Sequence, residues 1–154
     1  MISDRCSIDY VITVPPGTVV DASTATGNVT VLGTRAAVTA HSATGDLKIS
    51  DPGSPVELST NVGDVIGENL PGGDVSGRSN TGNVRLDFIR APDRITARTD
   101  VGDVLIAVPN DQTSYQVASG TDVGKAHIDV PINSGSTHTA RLTTNTGDIR
   151  MGLN

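Results

Sequence analysis

A short phrase built around one glycine recurs seven times along the chain and constrains the fold more than any other feature. It reads Thr or Ser, two variable residues, Gly, usually Asn or Asp, and then an apolar residue. Successive glycines are 18, 18, 19, 20, 22 and 23 residues apart. Seven copies at such a regular spacing indicate a repeat architecture. The glycines are Gly27, Gly45, Gly63, Gly82, Gly102, Gly124 and Gly147.

Each copy carries the alternating pattern of two half-buried strands. The positions seven, five and three residues before the glycine are mostly apolar or Ser/Thr, and the residues between them are mostly polar. Two and four residues after the glycine, apolar residues flank a more polar one. A period of two with β-branched residues predicts strands. The inward phase changes at the glycine, so we expect a tight corner there.

These repeats predict an all-β fold, a single-stranded parallel β-solenoid of about seven coils of 18–23 residues. One such unit cannot bury its apolar face alone, whereas stacked units bury it against each other. Right-handed winding is expected because parallel crossovers are mostly right-handed. The alternative, an antiparallel β-sandwich, does not explain why the same columns recur. Helices are disfavoured because Gly, Pro, Thr, Asn and Asp interrupt every window.

The two ends of the predicted stack differ. Residues 1–17 are interpreted as an N-terminal lead-in and capping strand, with the strand over Ile8–Val14, and residues 18–154 as the solenoid of a single-domain protein. A cap is expected because solenoids must cover their terminal strand edges. The seventh repeat has no following segment that resembles a cap. We therefore expect Ile149 and Met151 to lie at an exposed edge available for end-to-end association.

Composition excludes several classes of function. The net charge of −6 argues against nucleic acid as a partner, which requires a basic patch. No apolar run is long enough to span a membrane, so membrane insertion is not expected. The single cysteine, Cys6, leaves no intrachain disulfide to form. The sequence shows no signal peptide at Met1 and does not identify a compartment. No motif predicts a cofactor.

Three stretches carry a family resemblance: V-E-L-S-T-N-V-G-D-V (56–65), V-T-A-H-S-A-T-G-D-L (38–47) and A-R-L-T-T-N-T-G-D-I (140–149). They resemble the repeat V-x-V-x-T-x-[ST]-G-D-[VI]-x-V of a bacterial adhesin-like β-strand-repeat family of unknown function. The resemblance implies a single-chain β-solenoid, often outside the cytoplasm or tethered to the cell envelope, and it brings no catalytic residues. Gly67 in an apolar column and Lys125 in the acidic column depart from the pattern, so the third and sixth coils are expected to be irregular.

The acidic column offers candidate metal ligands. Asp100, Asp103 and Asp122 are expected to lie near one another on the fifth and sixth coils, and calcium binds clusters of carboxylate oxygens. The calcium-binding repeat G-G-x-G-x-D is absent, however, and the period is too long for it. A solvated row of turn residues is therefore the favoured interpretation, and no metal is predicted.

A mildly basic stripe is the candidate ligand surface. The third position after each glycine points outward and includes Lys48, Arg85, His127 and Arg150. On one face of a sheet these residues would suit an anionic ligand such as an acidic glycan.

Three functional hypotheses follow. The first is a non-catalytic, adhesin-like module that presents a sheet and loops to an unidentified protein or glycan, with self-association through the open C-terminal coil. The second is a carbohydrate-active β-helix enzyme or polysaccharide-binding domain acting on an acidic glycan. Against an enzyme, aromatic residues are nearly absent and no cluster of Asp and Arg stands out. The third is end-to-end assembly into a homo-oligomeric filament.

Overall fold

The computed structural model describes residues 8–154, which form fourteen strands and no helix. Each of the seven repeats is one coil, here numbered in chain order. A coil contributes the strand before its corner glycine to one seven-stranded parallel sheet and the strand after it to a second. The predicted parallel β-solenoid of about seven coils is therefore confirmed, and no described residue lies in a helix that could cross a membrane.

Sheet A contains the strands that precede the corner glycines: β1 (Val20–Thr26), β3 (Val38–Thr44), β5 (Val56–Val62), β7 (Gly73–Thr81), β9 (Pro92–Val101), β11 (Gln116–Val123) and β13 (Thr139–Thr146). Sheet B contains the strands that follow them: β2 (Val29–Leu32), β4 (Leu47–Ser50), β6 (Val65–Leu70), β8 (Val84–Phe88), β10 (Val104–Val108), β12 (Ala126–Asp129) and β14 (Ile149–Leu153).

The core is the layer between the two sheets, and the repeat columns fill it. Equivalent residues pair in register, so that Val38 lies beside Val56 and Val56 beside Val75. The inward side chains of the middle coils are completely buried, as Leu86 and Ile95 show. Burying a side chain of this size contributes about 1.5–3 kcal/mol. Stacking of equal columns therefore supplies the stability that a single coil lacks.

The coils do not stack in chain order. Sheet A runs β1-β3-β5-β7-β9-β13-β11, and sheet B has the matching order, so the seventh coil lies between the fifth and the sixth. The prediction that Ile149 and Met151 form an exposed edge is therefore wrong. Their strand, β14, pairs with β10 on one side and β12 on the other, and both side chains are buried. The outermost coil at this end is the sixth.

Two linkers carry this crossover. Residues 109–115 pass over the width of one coil, and residues 130–138 bring the chain back, which explains the 22- and 23-residue spacings. The linkers bond to each other: Tyr115 N–H donates to the Pro131 carbonyl, and Asn133 N–H donates to the Tyr115 carbonyl. The Tyr115 side chain is buried and its ring meets His138 edge-on, with 5.9 Å between ring centroids. The longer linkers thus serve the topology of the stack.

The N-terminal segment differs from the prediction. Residues 8–19 form no strand, so the capping strand expected over Ile8–Val14 is wrong, and its large apolar side chains are exposed. Alternation alone does not make a strand, because the segment must also pair with a neighbouring strand, and residues 8–14 do not pair with the first coil. The turn at Pro15–Gly17 does form, and Gly17 N–H donates to the Thr34 carbonyl. The lead-in at 2–7, including Cys6, lies outside the described residues.

The expected irregularity of the third coil is confirmed. The pairing of β6 with β8 shifts register between Gly67 and Leu70. A side chain at Gly67 would meet Leu70 and Leu86 at 3.0 Å, so the bulge places Leu70 in the space that the apolar column would otherwise fill. The core of the third coil is therefore filled by Leu70, although Gly67 has no side chain.

Candidate functional site

The acidic column forms a continuous hydrogen-bonded ladder along the corner of the stack. In each coil but one, the Asn or Asp after the corner glycine accepts, through its side-chain oxygen, the backbone N–H of the equivalent residue in the next coil. The donor–acceptor distances are 2.7–2.9 Å. The pairs, with the donor first, are Asp46–Asn28, Asp64–Asp46, Asn83–Asp64, Asp103–Asn83, Asp148–Asp103 and Lys125–Asp148.

A second ladder runs beside the first and has the same direction, with its donors also in the later coil of the stack. The Ser or Thr three residues before each glycine donates its hydroxyl hydrogen to the corner glycine carbonyl of the preceding coil in the stack. The first coil has no such neighbour, and Thr24 bonds to the nearby Thr26 carbonyl instead. The donors in the other coils, at 2.7–3.2 Å, are Ser42, Thr60, Ser79, Thr99, Thr144 and Thr121. These hydroxyls and the acidic column therefore hold the coils together.

The structure does not bring the three candidate metal ligands together. Asp103 and Asp122 were expected on adjacent coils, but the seventh coil lies between the fifth and the sixth. Asp103 accepts the Asp148 N–H, and Asp100 accepts a hydrogen bond from Arg98. In residues 8–154 no group of three or more His, Cys, Asp or Glu side chains is placed to hold a metal ion.

The predicted basic stripe lies on the outer face of sheet B, and neighbouring carboxylates neutralise most of it. Lys48 pairs with Glu68 at 3.1 Å, Arg85 with Asp87 at 3.1 Å, and Arg150 with Asp148 at 3.9 Å. His127 lies beside Arg150 on the outermost strand. Ile66 separates Lys48 from Arg85, and Leu105 separates Arg85 from Arg150. The stripe is thus interrupted, and its charge is largely balanced.

A different set of cations converges on the outer face of sheet A. Arg78 on β7 lies directly beside Arg98 on β9, and Arg98 lies beside Thr143 on β13. Arg141 lies on β13 beside Thr96, two residues before Thr143. Three adjacent strands therefore present three arginines. Each strand is hydrogen-bonded along both edges, so the backbone positions of the three arginines are fixed.

These arginines border an open groove of about 790 Å³, here called the arginine groove. It is lined by Arg78, Ser79, Asn80, Thr96, Arg98, Arg141, Thr143 and Asn145, with no carboxylate among them.

The charge of the groove is only partly balanced. Arg98 donates to the Asp100 carboxylate at 3.2 Å, whereas Arg78 and Arg141 have no carboxylate partner in residues 8–154. In a chain with a net charge of −6, this is a local excess of positive charge. A guanidinium group binds carboxylate, sulfate or phosphate through paired N–H donors. The groove is therefore suited to an anionic ligand.

The sequence did not reveal this groove because it depends on the order of the coils. Arg78 and Arg98 share the outward column four residues before the glycine, so their proximity is visible in the repeat. Arg141 belongs to the seventh repeat, which in chain order would be separated from Arg98 by the sixth coil. The inserted seventh coil places β13 directly against β9 and adds the third arginine.

Comparison with known proteins supports the fold. No curated protein and no solved structure matches the chain. The model of the Toastrack DUF4097 family, a domain family of unknown function, matches residues 18–152. The match spans the seven coils described above and begins where the repeats begin. The chain belongs to the Toastrack DUF4097 family.

Proposed function

We propose that this domain is a non-catalytic interaction module that binds an acidic glycan in the arginine groove. The observation that carries the proposal is the convergence of Arg78, Arg98 and Arg141 on three adjacent strands, with two of the three lacking a carboxylate partner in the described residues. A ligand that carries carboxylate or sulfate groups would satisfy these donors.

The lining favours a glycan over a protein partner. Protein interfaces depend on buried aromatic and aliphatic anchors, and the groove lining has none. Instead, the hydroxyls of Thr96 and Thr143 and the amides of Asn80 and Asn145 line the groove. Such groups both donate and accept hydrogen bonds, as sugar hydroxyls require. Charge and hydrogen bonding would thus replace the aromatic stacking that many sugar sites use.

The groove chemistry supports binding without cleavage. Glycoside hydrolysis usually requires two carboxyl groups, one on each side of the bond that breaks. The arginine groove is lined by neither a carboxylate nor a histidine. The carboxylate of Asp100, which lies two residues from Arg98, is held by that arginine at 3.2 Å. The hypothesis of a non-catalytic, adhesin-like module therefore fits the groove better than the hypothesis of a carbohydrate-active enzyme.

Calorimetric titration with a linear oligosaccharide of uronic acids tests the proposal. We expect binding that weakens as salt is added, and no binding of a neutral oligosaccharide of equal length. Each of Arg78→Ala, Arg98→Ala and Arg141→Ala should lower the affinity about tenfold, equivalent to about 1.4 kcal/mol. Arg85→Ala, which removes an exposed arginine from sheet B, is the matched control and should leave the affinity unchanged.

Two results would contradict this function. If the three groove variants bind the uronic acid oligosaccharide as the wild type and Arg85→Ala do, the arginine groove is not the site. If an acidic peptide with the same number of carboxylates binds equally well, the groove recognises charge alone and the glycan assignment is wrong.

A further inference from the structure

The two ends of the stack carry complementary halves of the corner ladders. At the first coil, the Asn28 N–H has no side-chain acceptor within residues 8–154, whereas the equivalent N–H of every other coil has one in its neighbour. Thr24 likewise has no glycine carbonyl from a preceding coil. At the sixth coil, the Gly124 carbonyl occupies the position from which other corner glycines accept a hydroxyl. A second copy stacked head to tail would therefore place Thr24 against Gly124.

One residue breaks this match. The ladder position of the sixth coil is Lys125, whose side chain has three donors and no acceptor. Every other coil has Asn or Asp there, and each of those six side chains accepts an N–H from the next coil. The exception is found in the sixth coil, whose strands are the outermost at this end of the stack that residues 8–154 form. In a head-to-tail contact, the Asn28 N–H of the second copy would face a lysine and remain unpaired.

Other departures in the sixth repeat fit the same interpretation. Ser119 replaces the Ala, Leu or Gly of its inward column, and Ala126 replaces the Val, Leu or Ile found at its position in the other repeats. Both residues are exposed. The first coil keeps the full pattern, with Val20, Ala22 and Val29 in the inward columns. A terminal coil needs a more polar outer side than an internal one, and Lys125 lies at the exposed corner between β11 and β12.

We propose that the sixth-coil edge is an interaction surface that fits the first coil of a second copy except at Lys125, and that Lys125 keeps the protein from assembling head to tail. A residue at position 125 that can accept the Asn28 N–H of the second copy allows the two copies to associate. The partner is another copy of this chain because its first coil presents the same strand direction, the same glycine corner and an Asn28 N–H in the position that continues the ladder.

Sedimentation velocity over a concentration series tests the proposal with three chains. The wild type should remain a monomer, and Lys125→Asn should associate into end-to-end dimers and longer rods, with an association constant at least tenfold higher. Lys125→Ala removes the charge without supplying an acceptor and should remain a monomer. If Lys125→Ala associates as strongly as Lys125→Asn, the lysine charge is the block and the missing acceptor is not.

A second variant locates the contact. Val20 lies on β1, the outermost described strand of sheet A at the opposite end of the stack. In the Lys125→Asn chain, Val20→Lys should restore the monomer because it places a charge on the edge that the sixth coil would meet. The proposal is overturned if the wild type itself forms end-to-end assemblies, or if folded Lys125→Asn is monomeric at every concentration. It is also overturned if Val20→Lys leaves the association unchanged.

Discussion

At the scale of single residues, the corner glycines hold the coils at contact distance. All seven have φ between 135° and 148°, a region that residues with a side chain rarely adopt. From the second coil of the stack onward, a β-carbon at the corner would also lie 2.0–2.2 Å from the glycine carbonyl oxygen of the preceding coil. The repeat therefore conserves glycine within the chain for two separable reasons, backbone conformation and close approach.

Gly82→Ala and Gly27→Ala separate the two reasons. Both substitutions strain the backbone, which costs about 1–3 kcal/mol. Only Gly82→Ala also places a β-carbon 2.0 Å from the Gly63 carbonyl oxygen, whereas at Gly27 the nearest atom is Thr24 Oγ1 at 3.9 Å. We expect Gly82→Ala to lower the midpoint of urea denaturation markedly more than Gly27→Ala. Equal midpoints for the two variants would show that backbone strain accounts for the whole effect.

The sequence predicted which residue positions face the core, because seven copies of the repeat show which positions are always apolar, polar or glycine. The inward phase of the Ser/Thr column and the corner at each glycine are both confirmed. The function of that column, donation from hydroxyls such as Thr99 to a carbonyl in the neighbouring coil, follows once the corners stack. The arginine groove could not be predicted in full, because Arg141 approaches Arg98 only through the inserted coil.

At the scale of elements, the order of the coils was the part that the sequence pattern left open. Because all seven coils have nearly the same residue pattern, any coil could stack on any other. The pattern therefore predicts that the coils stack, but it does not predict which coils are adjacent. Two signals did point to the crossover: the longest spacings flank the sixth repeat, and Lys125 and Ala126 break its columns. The strand expected over Ile8–Val14 failed for a related reason: alternation predicts which side of a strand is buried, but it does not determine whether that segment pairs with the first coil.

The crossover linkers also produce a pH dependence through Tyr115. Burial raises the pKa of its phenol to about 12, with a smaller contribution from the nearby Asp111 carboxylate. The hydroxyl has no hydrogen-bond partner in the described residues. Above the ordinary pKa of 10.0 the unfolded chain releases this proton while the folded chain retains it. Tyr115 therefore contributes a loss of folding stability as the pH rises from 10 to 12, of up to about 1.4 kcal/mol per pH unit.

Tyr115→Phe should remove the part of the loss of folding stability above pH 10 that Tyr115 causes. The difference between the denaturation midpoints at pH 8 and pH 11 should be smaller for Tyr115→Phe than for the wild type. At pH 8 the variant should be at least as stable as the wild type, because it no longer buries an unpaired hydroxyl. Tyr10→Phe is the control, since Tyr10 is exposed and its substitution should leave the pH dependence as it is. An equal loss in wild type and Tyr115→Phe would contradict the assignment.

At the scale of the whole molecule, the protein is a one-dimensional stack in which the strands of each coil pair only with those of the adjacent coils. Stability in such a stack is set by the number of neighbours that a coil has, so terminal coils open most readily. Among the described strands, the first and sixth coils each pair with one neighbouring coil, and the five others pair with two. The last repeat of the chain is thus an internal coil of the stack, which reverses the usual expectation that the C-terminal unit frays.

Amide hydrogen exchange distinguishes this order from stacking in chain order. Residues 139–153 of the seventh coil should exchange slowly, because β13 and β14 are paired on both edges, whereas residues 116–129 of the sixth coil should exchange about tenfold faster or more. Residues 56–70 of the third coil and 20–32 of the first coil serve as internal references for a central and a terminal coil. Stacking in chain order predicts the opposite ranking, because the seventh coil would then be terminal and the sixth enclosed. Fast exchange over 139–153 together with protection over 116–129 would therefore reject the inserted coil, and with it the three-arginine groove that the insertion creates.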